Sequence, residues 1–271
     1  MKTKLIILIL SIIMILSACS NNENKNEKLS PNNNGTTENK ANDNDNSTQN
    51  IINLAFTPVP KTALIEQLPE EGWVLGKSIY FGNLSEQVES TVHLYIDNNG
   101  NPDLKPCDGI IYGFLEYEDK FYELGVVSSY GIDYIDVNLA DRTFDKIKEI
   151  HIVGDMGATS RELKIISYNK TNQGWENLLT ISNPQIVDLD NDSKEELLAV
   201  SMGSLPPFVE IYKWNNDHFE KADIAEATGS LYAKIDTINN EWIIETGLQG
   251  SEETTFYKYE DGNLIKHREL Q

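Results

Sequence analysis

The chain has 271 residues, of which 39% are hydrophobic and 24% charged, and its formal net charge is −21. Its length and apolar content predict a folded domain with a sizeable core. Because the chain is strongly acidic, its overall charge argues against polyanionic partners, and we expect no nucleic acid among its ligands.

The first predicted element is a secretory signal peptide at residues 1–18. Lys2 and Lys4 precede an apolar run of about a dozen residues, which is too short to span a membrane. The small residues Ser17 and Ala18 directly precede Cys19, and this segment resembles the lipobox of bacterial lipoproteins. The resemblance implies that Cys19 becomes the first residue of the mature protein. It also implies that acyl chains such as palmitate on Cys19 hold the protein on the extracytoplasmic face of the cell membrane.

Cys19 is followed by a segment that is predicted to be disordered. Residues 20–50 contain twelve asparagines and no aromatic residue. Such a segment cannot bury enough apolar surface to offset its conformational entropy. Residues 19–50 are therefore predicted to be a lipidated cysteine with a flexible tether, about 30 Å long on average.

The remainder, residues 51–271, is predicted to be one all-β domain. Its apolar residues form short β-branched or aromatic runs bounded by Gly, Asn, Asp or Pro. Examples are residues 110–112, 125–127, 132–137, 150–153, 208–214 and 242–244. Only residues 61–68 and 144–148 favour short helical turns.

A repeat is visible within this domain. Four aromatic residues, Tyr117, Tyr168, Trp214 and Tyr259, are 51, 46 and 45 residues apart. A period of this length in a strand-rich chain indicates the blades of a β-propeller, each of them a small antiparallel sheet. We expect a propeller-like fold with four or five blades of about 45–50 residues. A β-sandwich with regular hairpins is the alternative.

One loop has a composition suited to metal binding. Asp188, Asp190, Asp192 and Glu196 occupy positions 1, 3, 5 and 9 of a segment between two predicted strands. Four carboxylates this close repel one another, and a hard divalent cation such as Ca²⁺ relieves that repulsion. An Asx-rich turn without a metal is the other reading.

This loop resembles the Ca²⁺ loop of FG-GAP and VCBS-type repeats, which are β-propeller blades. The resemblance implies that Asp188, Asp190, Asp192 and Glu196 supply side chains and that Lys194 supplies its backbone carbonyl. Ser193 stands where the family usually has Gly, and Glu196 where Asp is commoner. We therefore expect a weak structural site, with a Kd of about 10⁻⁴ to 10⁻³ M.

Two further segments resemble this loop less closely. The preceding repeat has Asp141, Thr143, Asp145 and Glu149 at the same positions. With one carboxylate fewer, it is predicted to keep the turn without the ion. Residues 97–101 are interpreted as a hairpin turn.

No motif predicts catalytic residues. Ser167 and Lys170 match a Ser-x-x-Lys pattern, but they fall on a predicted strand and its turn, without the supporting motifs. The four histidines, at 93, 151, 218 and 267, are isolated in the sequence. Cys107 has no adjacent histidine to activate it and is interpreted as structural.

The sequence therefore favours a non-enzymatic binding or scaffolding module on the outside of the membrane, whose partner is an unidentified protein or glycan. The alternative is a cell-envelope hydrolase with an active site in a propeller channel, where acidic loops would supply carboxylate pairs. A solute-binding lipoprotein is disfavoured, because such proteins are usually α/β and the chain shows no helical periodicity to match.

Overall fold

The computed structural model describes residues 51–82, 89–97, 109–201, 203, 206–248, 250 and 253–267. The predicted signal peptide (1–18), Cys19 and the tether (19–50) lie outside the described residues. So do Cys107 and residues 98–101 of the predicted hairpin turn.

The described residues form nineteen strands, numbered in chain order, and one short α-helix, α1 (Ile224–Thr228). The first three strands are β1 (Ile51–Asn53), β2 (Thr57–Pro58) and β3 (Thr62–Ala63). The other sixteen fall into four groups of four consecutive strands, which we call sheets I to IV.

Sheet I comprises β4 (Val74–Phe81), β5 (Ser90–Asp97), β6 (Ile110–Tyr117) and β7 (Lys120–Ser128). Sheet II comprises β8 (Ile135–Ala140), β9 (Glu149–Gly157), β10 (Ser160–Asn169) and β11 (Gly174–Ser182). Sheet III comprises β12 (Pro184–Val187), β13 (Glu196–Val200), β14 (Val209–Asn215) and β15 (His218–Asp223). Sheet IV comprises β16 (Tyr232–Ile238), β17 (Glu241–Gly247), β18 (Thr254–Glu260) and β19 (Asn263–Lys266).

The all-β prediction is confirmed. Each sheet is an antiparallel meander in which strands that are consecutive in the sequence pair with each other, and in the described residues each sheet is open. Within the described part of the chain, no helix has the length and apolar character needed to cross a membrane.

The strands follow from the alternation of buried and half-buried residues and from residues that favour tight turns between them. On β5, Val92, Leu94 and Ile96 are buried, and the residues between them are half-buried, which is the period of two of a strand with one face in a core. The tight turns use residues with positive φ, such as Asn239 and Asn240 at 52° and 65° between β16 and β17.

The core consists of three buried layers, each between two successive sheets. Layer I/II includes Leu115 and Ile150, layer II/III includes Leu179 and Tyr212, and layer III/IV includes Ile211 and Ile244. Among the described residues, these layers place the sheets in the order I, II, III, IV, with sheets I and IV at the two ends.

The segment 51–67, which we call the strap, crosses the fourth strand of every sheet. It pairs with β19 of sheet IV through β1, with β15 of sheet III through β2, and with β11 of sheet II through β3. It then reaches β7 of sheet I through a bridge between Glu66 and Tyr122. The strap thus covers, in turn, the edge strand that each meander would otherwise expose.

The strap has a five-residue period that matches the stack of sheets. The backbone N–H groups of Leu54, Val59 and Leu64 donate to sheets IV, III and II, with Gly262, Phe219 and Trp175 as acceptors at 3.0, 2.7 and 2.8 Å. The three side chains pack against layers III/IV, II/III and I/II, in the same order. Each layer therefore receives at least one apolar side chain of the strap, and layer III/IV also receives Ile52 and Phe56.

The predicted helical turn at 61–68 is wrong, because this segment belongs to the strap. Its local sequence favours a helix, but its backbone groups bond to distant edge strands, and Thr62 pairs with Asn177. Residues 132–137 are only partly a strand, since a 3₁₀ turn occupies Ile132–Tyr134 and the strand begins at Ile135.

The four aromatic residues of the sequence repeat occupy equivalent positions. Tyr117, Tyr168, Trp214 and Tyr259 are each the last or next-to-last residue of the third strand of a sheet. The rings of Tyr117 and Tyr168 lie 5.3 Å apart, so this contact spans layer I/II.

The strap predicts a contrast between Leu54, which lies within it, and Leu68, which directly follows it. Leu54 is 9% exposed and Leu68 is 70% exposed. Leu54→Ala is expected to lower the free energy of unfolding by about 2–4 kcal/mol, because it opens a cavity at the edge of layer III/IV. Leu68→Ala, the matched control, is expected to change it by less than about 0.5 kcal/mol. Urea unfolding of the full chain measures both values, and equal effects would contradict the assignment of Leu54 to the core.

Candidate functional site

The acidic loop predicted from the sequence joins β12 to β13 in sheet III, and its counterpart joins β8 to β9 in sheet II. We call residues 188–195 loop III and residues 141–148 loop II. Each is the connection between the first and second strands of its sheet.

Loop III gathers three of the four predicted carboxylates. One oxygen each of Asp188, Asp190 and Glu196, the first residue of β13, lie within 4.8 Å of one another. Asp188 Oδ1 is buried without a hydrogen-bond partner. Asp192 instead accepts from the backbone N–H of Lys194 at 2.7 Å and from its ammonium at 2.9 Å. The hydrogen bonds from Lys194 hold the pKa of Asp192 below its usual range.

The turn of loop III depends on two left-handed residues. Asn191 and Ser193 have φ of 61° and 70°, so Ser193 does occupy a position where glycine is favoured. The Ser193 N–H donates to Asp188 Oδ2 at 3.1 Å, and the Leu189 N–H donates to Glu196 Oε2 at 2.9 Å. The backbone therefore holds two of the gathered carboxylates in place.

The surroundings of Glu196 favour the protonated, neutral form of its carboxyl group. Burial raises the pKa of Glu196 to about 7, and the nearby charges of Asp190 and Asp192 add to the effect. Asp190 in turn accepts from the backbone N–H of Asp261 at 3.0 Å, which ties loop III to sheet IV. A cation placed among these oxygens would reverse the repulsion that disfavours the carboxylate of Glu196.

Loop II has the same backbone arrangement. Its residues Phe144 and Lys146 have φ of 58° and 70°, so the helical turn predicted at 144–148 is wrong. The Lys146 N–H donates to Asp141 Oδ2 at 2.9 Å, as Ser193 does to Asp188. Oxygens of Asp141, Asp145 and Glu149, the first residue of β9, lie within 4.8 Å of one another. The loop thus keeps the predicted turn and also gathers its acids.

The difference between the loops lies at their third position. Thr143 stands where loop III has Asp190, and its hydroxyl donates to Glu149 Oε1 at 3.0 Å. The Arg142 N–H donates to the other oxygen of Glu149 at 2.7 Å. Burial nevertheless raises the pKa of Glu149 to about 7.

The two loops meet beside a cavity of about 360 Å³. Arg142 of loop II donates to Glu195 of loop III at 2.7 Å. The cavity lining also includes Asp190, Trp214 and Tyr259. Acidic, basic and aromatic side chains therefore converge at the junction of three sheets.

A second site, not foreseen from the sequence, lies on sheet I. Val92, Leu94 and Ile96 of β5 enter layer I/II, so His93 and Tyr95 point to the opposite, outer face. This outer face carries six rings in continuous contact, namely Trp73, Tyr112, Phe114, Tyr95, His93 and Phe121. We call it the aromatic face.

The rings of the aromatic face hold one another in defined orientations. Trp73 stacks on Tyr112 with ring centroids 4.1 Å apart, and Tyr95 meets Phe114 edge-on at 5.6 Å. Phe114 is fully buried beneath its neighbours, whereas Trp73, Tyr95 and Tyr112 remain partly exposed. The result is a rigid surface of partly exposed rings over a buried one.

A polar row crosses the aromatic face. The Ser78 Oγ lies 2.8 Å from His93 Nδ1, and His93 Nε2 lies 2.6 Å from Glu116 Oε2. Since the carboxylate can only accept, His93 Nε2 carries a proton and donates to Glu116. The three residues are 15 and 23 positions apart along the chain, so no local motif joins them. The only signal in the sequence is the alternation of polar and apolar residues along the segment that forms β5.

The outer face of sheet IV, at the other end of the stack, is different. Polar and charged side chains pair there around the buried Ile243: Lys258 lies 2.6 Å from Glu241, and the Tyr232 hydroxyl donates to Glu245 at 2.7 Å. This pattern is typical of a solvated face, in contrast to the aromatic face of sheet I.

The other residues considered from the sequence have structural surroundings. Burial lowers the pKa of His151 to about 4, so this histidine is neutral in the core of sheet II. His218 contacts Asp217 at 2.8 Å in an exposed turn. Ser167 lies within β10 and Lys170 in the following turn, as predicted.

Comparison with known proteins identifies no relative. No protein-family model matches the sequence, and none of the curated proteins searched matches it. Functional inference therefore depends on the two sites described above.

Glu149 predicts a distinctive dependence of stability on pH. In the unfolded chain its carboxyl titrates near 4.5, and in the folded chain its pKa is about 7. The folded state therefore binds the proton more tightly, and this contribution to stability is lost as the pH rises through about 7. Glu149→Gln, which resembles the protonated form, is expected to gain stability relative to the native chain between about pH 5 and about pH 8.

The measurement is urea unfolding across that range in the presence of a chelator. Glu70→Gln, an exposed substitution with the same change of charge, is the control and should run parallel to the native chain. A parallel profile for Glu149→Gln would show that burial does not perturb this carboxyl.

Proposed function

We propose that this protein is a lipid-anchored extracytoplasmic binding module that contacts its ligand through the aromatic face of sheet I. The observation that carries the proposal is the contrast between the two ends of the stack. Sheet IV ends in a face where an ion pair and a tyrosine–carboxylate hydrogen bond satisfy the polar groups, whereas sheet I ends in partly exposed rings around a polar row. Exposed aromatic surface with a few fixed polar groups is characteristic of ligand-binding surfaces.

The anchor in this proposal is the acyl chain on Cys19, followed by the tether. The tether leads into β1, which pairs with sheet IV, and the aromatic face lies on sheet I at the other end of the stack. Two or more acyl chains are sufficient for stable attachment.

The scaffold in this proposal is a propeller-type array of four blades, related to FG-GAP and VCBS repeats. Four meanders of four strands, with the repeat aromatics at the ends of their third strands, support this reading over a two-sheet sandwich. In the described residues, buried layers join I to II, II to III and III to IV. The array is thus an open one, with sheets I and IV as its ends.

Loop III, in this proposal, binds Ca²⁺ as a brace between sheets III and IV. Asp188, Asp190 and Glu196 present oxygens close together, and Asp190 also contacts Asp261 of sheet IV. Carboxylate oxygens are the ligands that Ca²⁺ prefers. Loop II would remain without an ion, because Thr143 replaces the carboxylate equivalent to Asp190.

The Ca²⁺ proposal predicts a thermal shift that depends on loop III. At ten times the Kd, Ca²⁺ should stabilise the chain by roughly 1.4 kcal/mol relative to chelator, which raises the melting temperature by a few degrees. Asp190→Asn should abolish the shift, and Asp145→Asn in loop II, the matched control, should retain it. No shift at millimolar Ca²⁺, or one lost in the Asp145 variant alone, would contradict the assignment to loop III.

The binding proposal predicts where the chain and its variants are found in bacterial cells. The native chain should sediment with membranes after washing with salt, whereas Cys19→Ser should remain soluble because it lacks the acyl chains.

Soluble Cys19→Ser protein should then co-sediment with purified insoluble cell-wall material. A further Trp73→Ala change should weaken that binding, and Tyr232→Ala on the opposite end face should not. Binding that is equal in the last two variants would exclude the aromatic face as the contact surface.

The hydrolase alternative has one observation in its favour, the row formed by Ser78, His93 and Glu116. A serine hydrogen-bonded to a histidine, with a carboxylate on the other nitrogen, is the arrangement of an activated nucleophile. We rank it second because Ser78 is exposed on the face of a sheet and is not enclosed in a site that excludes water.

A further inference from the structure

We infer that the ligand of the aromatic face is a neutral glycan, with Trp73 as its stacking platform and Ser78 and Glu116 as acceptors for its hydroxyl groups. This inference rests on the proposed binding function and specifies its ligand. Three properties of the face carry it, namely its charge, its hydrogen-bonding capacity and its size.

The charge of the face opposes an anionic ligand. Its polar row contains the carboxylate of Glu116, whose side chain is 37% exposed, and the carboxylate of Glu89 accepts a hydrogen bond from the Tyr80 hydroxyl at the edge of the sheet. In addition, the whole chain has a formal charge of −21. Phosphate-rich or uronic polymers would be repelled, and a neutral ligand would not.

The hydrogen-bonding capacity of the row suits hydroxyl donors. His93 Nε2 donates to Glu116, and Ser78 Oγ makes one hydrogen bond with His93 Nδ1. Both outer members of the row therefore retain free acceptor lone pairs, on Ser78 Oγ and on the second oxygen of Glu116. Hydroxyl groups of a sugar can donate to both acceptors while its C–H face rests on a ring.

The rings provide the stacking surface that a sugar needs. Trp73 is fixed against Tyr112 by a stacked contact with ring planes inclined by 22°. Its position is therefore set before a ligand arrives, so little side-chain entropy is lost on binding. The electron-rich face of an indole ring attracts the C–H groups of a pyranose.

The size of the face favours a slender ligand over a protein. Four strands spaced at about 4.8 Å, with about eight residues each, give an area of about 500 Å². A stable protein interface needs about 800 Å² from each partner. A glycan chain laid across the strands fits the available area, whereas a second copy of this chain or a folded protein would need more.

The test uses the full chain carrying Cys19→Ser, so that no acyl chain contributes to binding. Neutral β-1,4-linked tetramers of N-acetylglucosamine, glucose and mannose are titrated by calorimetry, with a tetramer of galacturonic acid as the anionic comparison. At least one neutral tetramer is expected to bind saturably at or below millimolar concentration. The galacturonic acid tetramer is expected to bind at least about tenfold more weakly.

Variants locate the site. Trp73→Ala and Glu116→Gln are each expected to weaken binding of the neutral tetramer about tenfold. Trp73→Phe retains a ring and should stay within about threefold of the parent, which separates a lost platform from a lost fold. Tyr232→Ala on the end face of sheet IV is the matched control and should leave the affinity unchanged.

Several outcomes would overturn the inference. They are failure of all three neutral tetramers to saturate at millimolar concentration, equal binding of the anionic tetramer, and unchanged affinity in the Trp73 and Glu116 variants.

A dimer in light scattering that Trp73→Ala dissociates would make the face an interface between copies. Release of reducing ends that Ser78→Ala abolishes would make it an active site. If cell-wall binding persists and no neutral tetramer competes with it, the proposed function stands and the glycan inference fails.

Discussion

The structure depends on the backbone hydrogen bonds between the strap and the edge strands of the four sheets. A meander ends in a strand with unpaired N–H and C=O groups, and an unprotected edge of this kind favours aggregation. Here the strap pairs with β19, β15 and β11 and reaches β7 through a single bridge. Because Leu54, Val59 and Leu64 also enter successive layers, the same segment that pairs the edges closes the core. Four small antiparallel sheets are thereby joined along one edge.

The strap also connects sheet IV to sheet I. Its first residues pair with sheet IV and its last contact sheet I, and the chain then runs through a short turn to Trp73 of the aromatic face. Loops II and III lie between these two sheets and are cross-linked by Arg142 and Glu195, so a bound cation would stiffen the middle of the stack without contacting the ligand.

Local sequence patterns were sufficient wherever the determining contacts are local. The strands, the repeat aromatics such as Tyr168 and the turn geometry at Ser193 all follow from residues close together in the chain. The strap was missed because Thr62 pairs with Asn177, more than a hundred residues away, and pairing with an edge overrides local helix propensity. The row of Ser78, His93 and Glu116 was missed for the same reason. These residues lie on three different strands, and only the register of β4 with β5 and of β5 with β6 brings their side chains together. Positions 144–148 were misjudged because left-handed residues, and not a helix, build the turn of loop II.

Native-state hydrogen exchange of the strap amides tests the central claim most directly. The account predicts that the N–H groups of Leu54, Val59 and Leu64 exchange only through the global opening that exposes core amides such as those of Ile165 and Ile211. Strap and core amides should then share one free energy of opening and one dependence on denaturant. Strap amides that exchange at a much lower free energy, while the four sheets stay protected, would contradict it. In that case the strap would be a frayed terminus, and the sheets would hold together without it.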